Sequence, residues 1–185
     1  MFTFELLRGK TIRLSALKEE DSPLVAEWYA EGNFMRLYSA ATAFPKTERD
    51  ILEMIEEGRD DEEWLMFGLR RLRDGLLVGI GGFDEISWRN RVGWLALAVG
   101  RNHWEQGYGS EALRLLLRYG FMELDLHKVQ LTVLAYNERA LGIYRKAGFR
   151  QEGVFREFVY RDGERHDMIL MGMLADEWQS PRATG

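Results

Sequence analysis

The chain contains no cysteine. That excludes disulfides, thiolate metal sites and any covalent intermediate on a thiolate, and it fits a cytoplasmic setting. No apolar run approaches the roughly 20 residues of a membrane span. The N-terminal MFTFELLRGK has neither the basic start nor the long apolar stretch of a signal peptide. An excess of basic residues is missing too: 25 Lys and Arg against 30 Asp and Glu leave a net charge of −5, which argues against a nucleic-acid partner. Only three histidines occur, far apart, and without cysteine they make no metal site. Linkers, repeats and low-complexity blocks are also lacking, so 185 residues with 46% hydrophobic content read as one domain over 1–178 and a flexible tail over 179–185.

What is present reads as a mixed α/β pattern. Thr11 to Leu17 alternates as a strand, and Ser22-Pro23 reads as an N-cap followed by proline at the first helical position, opening a helix through Glu31. Residues 32–46 read as irregular, and Thr47 to Arg59 as a second helix. Three strands follow, Trp64 to Leu72, Leu77 to Ser87 and Val92 to Val99, as an antiparallel meander turning at Arg73-Asp74-Gly75 and Arg89-Asn90. A helix over Gly109 to Glu123, a strand over Val129 to Leu134, a short helix from Asn137 and two strands around Arg161-Asp162-Gly163 complete the order β-α-α-β-β-β-α-β-α-β-β. The cluster Gly79-Ile80-Gly81-Gly82 lies inside a strand and reads as a bulge or close backbone approach, not a ligand loop.

Two motifs carry chemistry. Trp104-Glu105-Gln106-Gly107-Tyr108-Gly109-Ser110 lies between a buried strand and a helix. The first N–H groups of that helix have no intrahelical partner, and with the helix dipole they form a site for a phosphate or pyrophosphate. No Gly-Lys-Ser/Thr follows, so this is not a Walker loop, and the three spaced glycines of a dinucleotide fingerprint are absent. About thirty residues on, Asn137 is an N-cap, Glu138 suits the first turn and Gly148 stops the helix. Positions 137, 140, 141 and 144 share one face, so a cap amide and the Tyr144 phenol look the same way.

WEQGYGSEAL followed by NERALGIYRKAGF resembles the acetyl-CoA-binding core of the GNAT superfamily of N-acetyltransferases, and Leu126-His127-Lys128-Val129 with RDGERHDMILMGML is similar to its RimJ/RimL-type branch, which includes spermidine acetyltransferases. The resemblance spans Lys10 to Trp178 and is strongest over 92–173. It departs at Glu105-Gln106, where the branch often has Gly-Lys, and at Gly109, where it often has Ala. The resemblance implies a single-domain mixed, mostly antiparallel sheet with a splayed central strand pair and flanking helices. It implies that Leu97, Ala98 and Val99 pair with the pantetheine amides, that Trp104, Glu105, Gln106, Gly107, Tyr108, Gly109 and Ser110 wrap the pyrophosphate, and that Asn137, Tyr144 and Lys146 complete the acetyl-CoA site. An amine then attacks the thioester directly, with a strand N–H on the oxyanion and Tyr144 protonating the leaving thiolate. A phenol near pKa 10 stays protonated at neutral pH beside a thiol near 8.5.

For a general base the candidates are Glu85, which we take first, and Asp84, with Glu31 and His103 as outsiders; alternation along a strand points Asp84 and Glu85 to opposite faces. His127 and His166 read as structural, and the resemblance also implies a route through waters in which no single base is needed. Holding a primary amine of pKa 10.4 as free base at pH 7 costs about 4.6 kcal/mol, against about 1–1.4 kcal/mol for an α-amino group. The acceptor is accordingly either a protein N-terminus or a polyamine- or aminoglycoside-like amine. Residues 48–63 hold nine acids against Arg49 and Arg59, a net charge of −7 that is either a solvated helix face or a rim attracting a polycation. Trp28, Tyr29, Phe34, Tyr38 and Phe44 either wall an acceptor pocket or pack under a loop. A homodimer is compatible with the resemblance, with Phe155, Phe158 and Tyr160 at an interface or packed internally. The competing expectation is a non-catalytic acyl-CoA-binding regulator, against which the joint presence of Asn137 and Tyr144 argues.

Overall fold

The computed structural model describes residues 5–178; the tail expected over 179–185 lies outside the described residues. Seven strands form one sheet: β1 (Ile12–Ala16), β2 (Leu65–Arg71), β3 (Leu77–Ser87), β4 (Val92–Val99), β5 (Lys128–Leu134), β6 (Arg150–Arg161) and β7 (Glu164–Leu174), in the spatial order β1-β2-β3-β4-β5-β7-β6. Every pairing is antiparallel except β4 with β5, which runs parallel.

Five helices flank it: α1 (Ser22–Ala30), α2 (Gly32–Tyr38), α3 (Glu48–Arg59), α4 (Tyr108–Met122) and α5 (Glu138–Ala147). On one face α4 lays Leu113, Leu116 and Leu117 against Phe83, Leu95 and Val129, all buried, and Tyr144 and Phe149 join that core. On the other face Val25, Trp28, Phe34, Ile51 and Ile55 from α1 to α3 cover Leu77, Ile80 and Ala98. Each fully buried leucine or phenylalanine contributes about 1.5–3 kcal/mol, so both layers are held mainly by side-chain burial.

The glycine cluster in β3 is a close approach, as expected: a Cβ at Gly82 would stand 1.9 Å from the Leu65 carbonyl oxygen, and one at Gly79 2.4 Å from that of Ala98. Three local expectations are corrected. The N-cap of α1 is Asp21, and Ser22 already has helical angles (φ −57°, ψ −39°). The Asp21 carboxylate does not cap the helix, because it accepts from the Lys18 N–H (2.8 Å) and the Arg70 guanidinium (2.6 Å). Residues 32–38, expected to be irregular, form α2; no capping side chain announces it, and tertiary contacts stabilise it. Asp84 and Glu85 do not alternate. A bulge pairs Phe83 with Leu95 and Glu85 with Trp94, so Phe83 and Ile86 are both buried and the two acids between them are both exposed.

Candidate active site

The sheet opens where the site lies. Parallel pairing of β4 with β5 covers only Val92 to Trp94, and the strands then splay. The β3–β4 register, with Gly100 N–H donating to the Val78 carbonyl at 3.0 Å, fixes which groups face the gap. Alternation along β4 turns the backbone of Ala98 toward β3 and leaves that of Leu97 and Val99 facing the splay. Of the three residues expected to offer backbone bonds, Leu97 and Val99 turn theirs toward the gap; Ala98 lines the cavity but spends its own on the sheet. The Val99 carbonyl already accepts the Trp104 indole N–H at 2.7 Å.

A cavity of about 670 Å³ fills this opening. One wall is the turn into α4, where Gly107 has φ +82°, a conformation that glycine adopts without penalty. The first intrahelical bond runs from Glu111 N–H to Gly107 at 3.1 Å, so the N–H groups of Tyr108, Gly109 and Ser110 have no helical acceptor. All three residues line the cavity, as do Trp104, Glu105 and Gly107. Gln106 does not; its amide N–H donates to the Asn102 carbonyl at 3.3 Å. These free donors at a helix N-terminus suit a pyrophosphate, and the open β4 edge suits amides, so the residues present fit coenzyme A.

The second wall is α5, which brings Asn137, Tyr144 and Lys146 into the same cavity. The Asn137 side chain accepts from the Ala140 N–H (3.2 Å) and donates to the Leu37 carbonyl (3.4 Å), so it both caps α5 and reaches α2. Tyr144 is 8% exposed, and its ring meets Phe149 at 5.7 Å. Burial pushes its phenol up to about 12. It is therefore a donor at every physiological pH.

Phe34, Leu37 and Tyr38 of α2 form a third wall, while Trp28 and Tyr29 pack behind them and Phe44 is exposed. Of the five aromatics, Phe34 and Tyr38 line the cavity, Trp28 and Tyr29 pack beneath it, and Phe44 does neither. Burial raises the Tyr38 phenol, and its neighbours Tyr29, Asp84 and Tyr144 raise it further. Asp84 and Glu85 line a separate, smaller hollow of about 360 Å³ with Trp94, Thr132, Phe155 and Met168. Asp84 keeps an exposed surface, but partial desolvation of its carboxyl at the hollow, with the charge of Glu85, raises it above the usual carboxylate range. Tyr38 couples electrostatically to both Tyr144 and Asp84, while the two hollows share no lining residue.

His103 lines the main cavity, held below the usual imidazole range by burial and by Arg71. His166 packs edge-on against Tyr136, and His127 is exposed. Glu31 sits at the start of α2, off the cavity wall. The nine acids of 48–63 are exposed along α3 and the following loop and line neither hollow, which supports the solvated-face reading. Phe155, Phe158 and Tyr160 are exposed on the outer strand β6, with Phe155 and Phe158 in ring contact at 5.6 Å. Sequence reasoning missed Arg139, Leu37 and Tyr136 as cavity residues. Arg139 was findable, since it follows the cap by two positions; the other two depend on how α2 docks.

Residues 11–150 match the family described as Acetyltransferase (GNAT) domain. The putative ribosomal N-acetyltransferase YdaF of Bacillus subtilis (strain 168) is 28% identical over 190 residues, 98% of this chain and 100% of that protein. The ribosomal protein uS5 alanine N-acetyltransferase of Escherichia coli (strain K12) is 22% identical over 170 residues, 89% of this chain and 88% of that protein. Among solved structures, spermidine N-acetyltransferase from Vibrio cholerae in complex with CoA and spermine has the same fold, with a TM-score of 0.85 at 22% identity over 91% of this chain and 98% of that one. No helix among the described residues is long and apolar enough to cross a membrane.

Proposed function

The chain belongs to the GNAT acetyltransferase family and is an acetyl-CoA-dependent N-acetyltransferase, and we propose that it acetylates a cationic primary amine in the cytoplasm by direct transfer. The observation that carries this reading is one cavity holding the free N–H groups of α4, the open edge of β4 and the Tyr144 phenol. Acetyl-CoA supplies an acetyl group activated as a thioester. The N–H groups of Tyr108, Gly109 and Ser110 bind its pyrophosphate, the backbone of Leu97 and Val99 its amides, and Asn137 and Lys146 its flanks. A β4 N–H on the splayed edge stabilises the oxyanion that develops at the carbonyl. Tyr144 donates its proton toward the departing sulfur. With a phenol near 12 and a thiol near 8.5, full transfer even to the departed thiolate is uphill by about 5 kcal/mol, so Tyr144 stabilises the developing charge on sulfur as a hydrogen-bond donor, and the proton that the acceptor nitrogen releases balances the thiolate.

The acceptor arrives as an ammonium and must lose a proton. Glu85, the base expected from sequence, and Asp84 share the hollow beside Tyr38, and we assign proton removal to this pair, directly or through water. Two acidic groups there favour a cationic acceptor. The E. coli relative acts on the uS5 alanine and the V. cholerae neighbour on spermidine; a peptide N-terminus and a polyamine are the acceptor classes to test.

Thiol release from acetyl-CoA, followed with spermidine, an aminoglycoside, lysine and short peptides with free N-termini, tests the assignment. Release that rises with one amine and falls at least a hundredfold in Tyr144→Phe, with acetyl-CoA affinity kept, is the expected result. Binding of acetyl-CoA with no acceleration by any amine overturns it in favour of a sensor.

A further inference from the structure

Seven residues are too few for a helix to persist in water by its own hydrogen bonds, and α2 has no capping side chain at its N-terminus. Its stability is borrowed. On one side the Tyr136 hydroxyl donates to the Arg36 carbonyl at 2.7 Å, and the Asn137 amide reaches the Leu37 carbonyl. On the other side stands the tip of the β6–β7 hairpin. There the Arg161 guanidinium donates to three successive carbonyls just past the helix, Ser39 at 3.4 Å, Ala40 at 3.2 Å and Ala41 at 2.7 Å. Asp162, next in sequence, pairs with Arg36 inside the helix.

We propose that Arg161 and Asp162 latch α2 into the cavity wall and thereby fix the space in which the acceptor amine stands beside Tyr144. This rests on the N-acetyltransferase reading above. The helix delivers Phe34, Leu37 and Tyr38 to the cavity, so a shift of α2 moves the acceptor's surroundings while leaving α4 and the β4 edge in place. The three bonds converge on Nη2, while Nη1 donates to the Tyr160 carbonyl at 3.2 Å, so the planar group is held at two points and ties the hairpin to the segment that follows α2. The Arg161 Nε is buried without a hydrogen-bond partner among the described residues, an arrangement that costs stability. Packing for stability alone does not explain this choice of side chain. Asp162 and Gly163 both have positive φ, +52° and +85°, which makes the tight turn that sets both side chains on the same helix. Arg161 is a positioning residue in this account, acting through α2.

The test uses the full chain with Arg161→Ala, Arg161→Lys and Asp162→Asn. It reads amide exchange over 32–41, acetyl-CoA affinity by calorimetry, and kinetics with spermidine and an alanine-initiated peptide. Arg161→Ala is expected to speed exchange in 32–41 at least tenfold and to raise acceptor KM about tenfold. Acetyl-CoA Kd stays within twofold and kcat within threefold. Arg161→Lys restores part of each effect, and Asp162→Asn, at an exposed position that does not endanger folding, gives a smaller change in the same direction. Unchanged exchange in 32–41 overturns the latch, as does faster exchange with acceptor KM unaltered or with acetyl-CoA Kd weakened equally. If the wild type acetylates neither acceptor, the acceptor assignment fails, and unchanged exchange in Arg161→Ala still sinks the latch separately.

Discussion

The guanidinium of Arg139 lies 4.6 Å from the centre of the Trp104 ring, and Trp104 in turn donates its indole N–H to the Val99 carbonyl at the splay. Arg139 forms no ion pair among the described residues and lines the cavity beside the α4 N-terminus. Two positive features side by side repel unless an anion sits between them. Arg139 is thus placed to supply the basic group that Glu105-Gln106 do not. Arg139→Ala should weaken coenzyme A binding about tenfold, roughly 1.4 kcal/mol, and flatten its dependence on salt. Calorimetry at two ionic strengths checks this, and dephospho-coenzyme A separates contact with the 3′-phosphate from contact with the pyrophosphate.

The proposed assignment of proton removal to Asp84 and Glu85 is one that pH profiles resolve. Partial desolvation and the charge of Glu85 hold Asp84 above the ordinary carboxylate range, so activity should fall as pH drops through that raised value. Glu85→Gln removes the neighbouring charge and shifts the acid limb of kcat/KM to lower pH. Asp84→Asn lowers kcat/KM about a hundredfold, the usual loss for a general base. A larger loss in Glu85→Gln than in Asp84→Asn would return the base to Glu85.

Glu111 is a stability residue in the first turns of α4. It is 7% exposed, and its carboxylate accepts from the Thr11 N–H at 2.8 Å and also from the Lys10 N–H and the Thr11 hydroxyl. Burial by itself raises its pKa, but the bonds from Thr11, Lys10 and Ile12 together outweigh that and hold it below the usual carboxylate range. Its contribution is therefore present above the unfolded value near 4.3 and lost as pH falls through the lowered folded value. Glu111→Gln should cost about 2 kcal/mol at pH 7 and flatten the acid limb of stability, read by denaturant melts at pH 7 and pH 4.

Gly107 and Gly109 should behave differently despite lying two residues apart. Gly107 has φ +82°, where an alanine is strained by about 1–2 kcal/mol. A Cβ at Gly109 would meet only Val99 Cγ2 at 3.7 Å and Ile143 Cδ1 at 3.8 Å, both ordinary contacts. Gly107→Ala should lower stability by that amount, and Gly109→Ala should leave it within about 0.5 kcal/mol, both measured by thermal denaturation.

Local chemistry by itself determined much of this protein. Asn137 and Gly148 bound α5 because a cap amide and a left-handed glycine act over one turn, and the free donors before α4 follow from helix geometry whatever surrounds them. The strands from Leu77 to Val99 and the glycine packing in β3 were legible for the same reason, since period and side-chain size are properties of a segment. Tertiary structure decided the rest. The helix at 32–38 buries Phe34 and Met35 and is contacted by Tyr136 and Asp162 at Arg36, about a hundred or more residues away in the chain, with Arg161 on the carbonyls that follow it. The bulge that turns both Asp84 and Glu85 outward depends on the register with β4, and the direction in which Leu97, Ala98 and Val99 offer their backbone depends on which neighbour pairs and which splays. These outcomes are settled by contacts between segments distant in the chain, whose geometry no short window of residues contains.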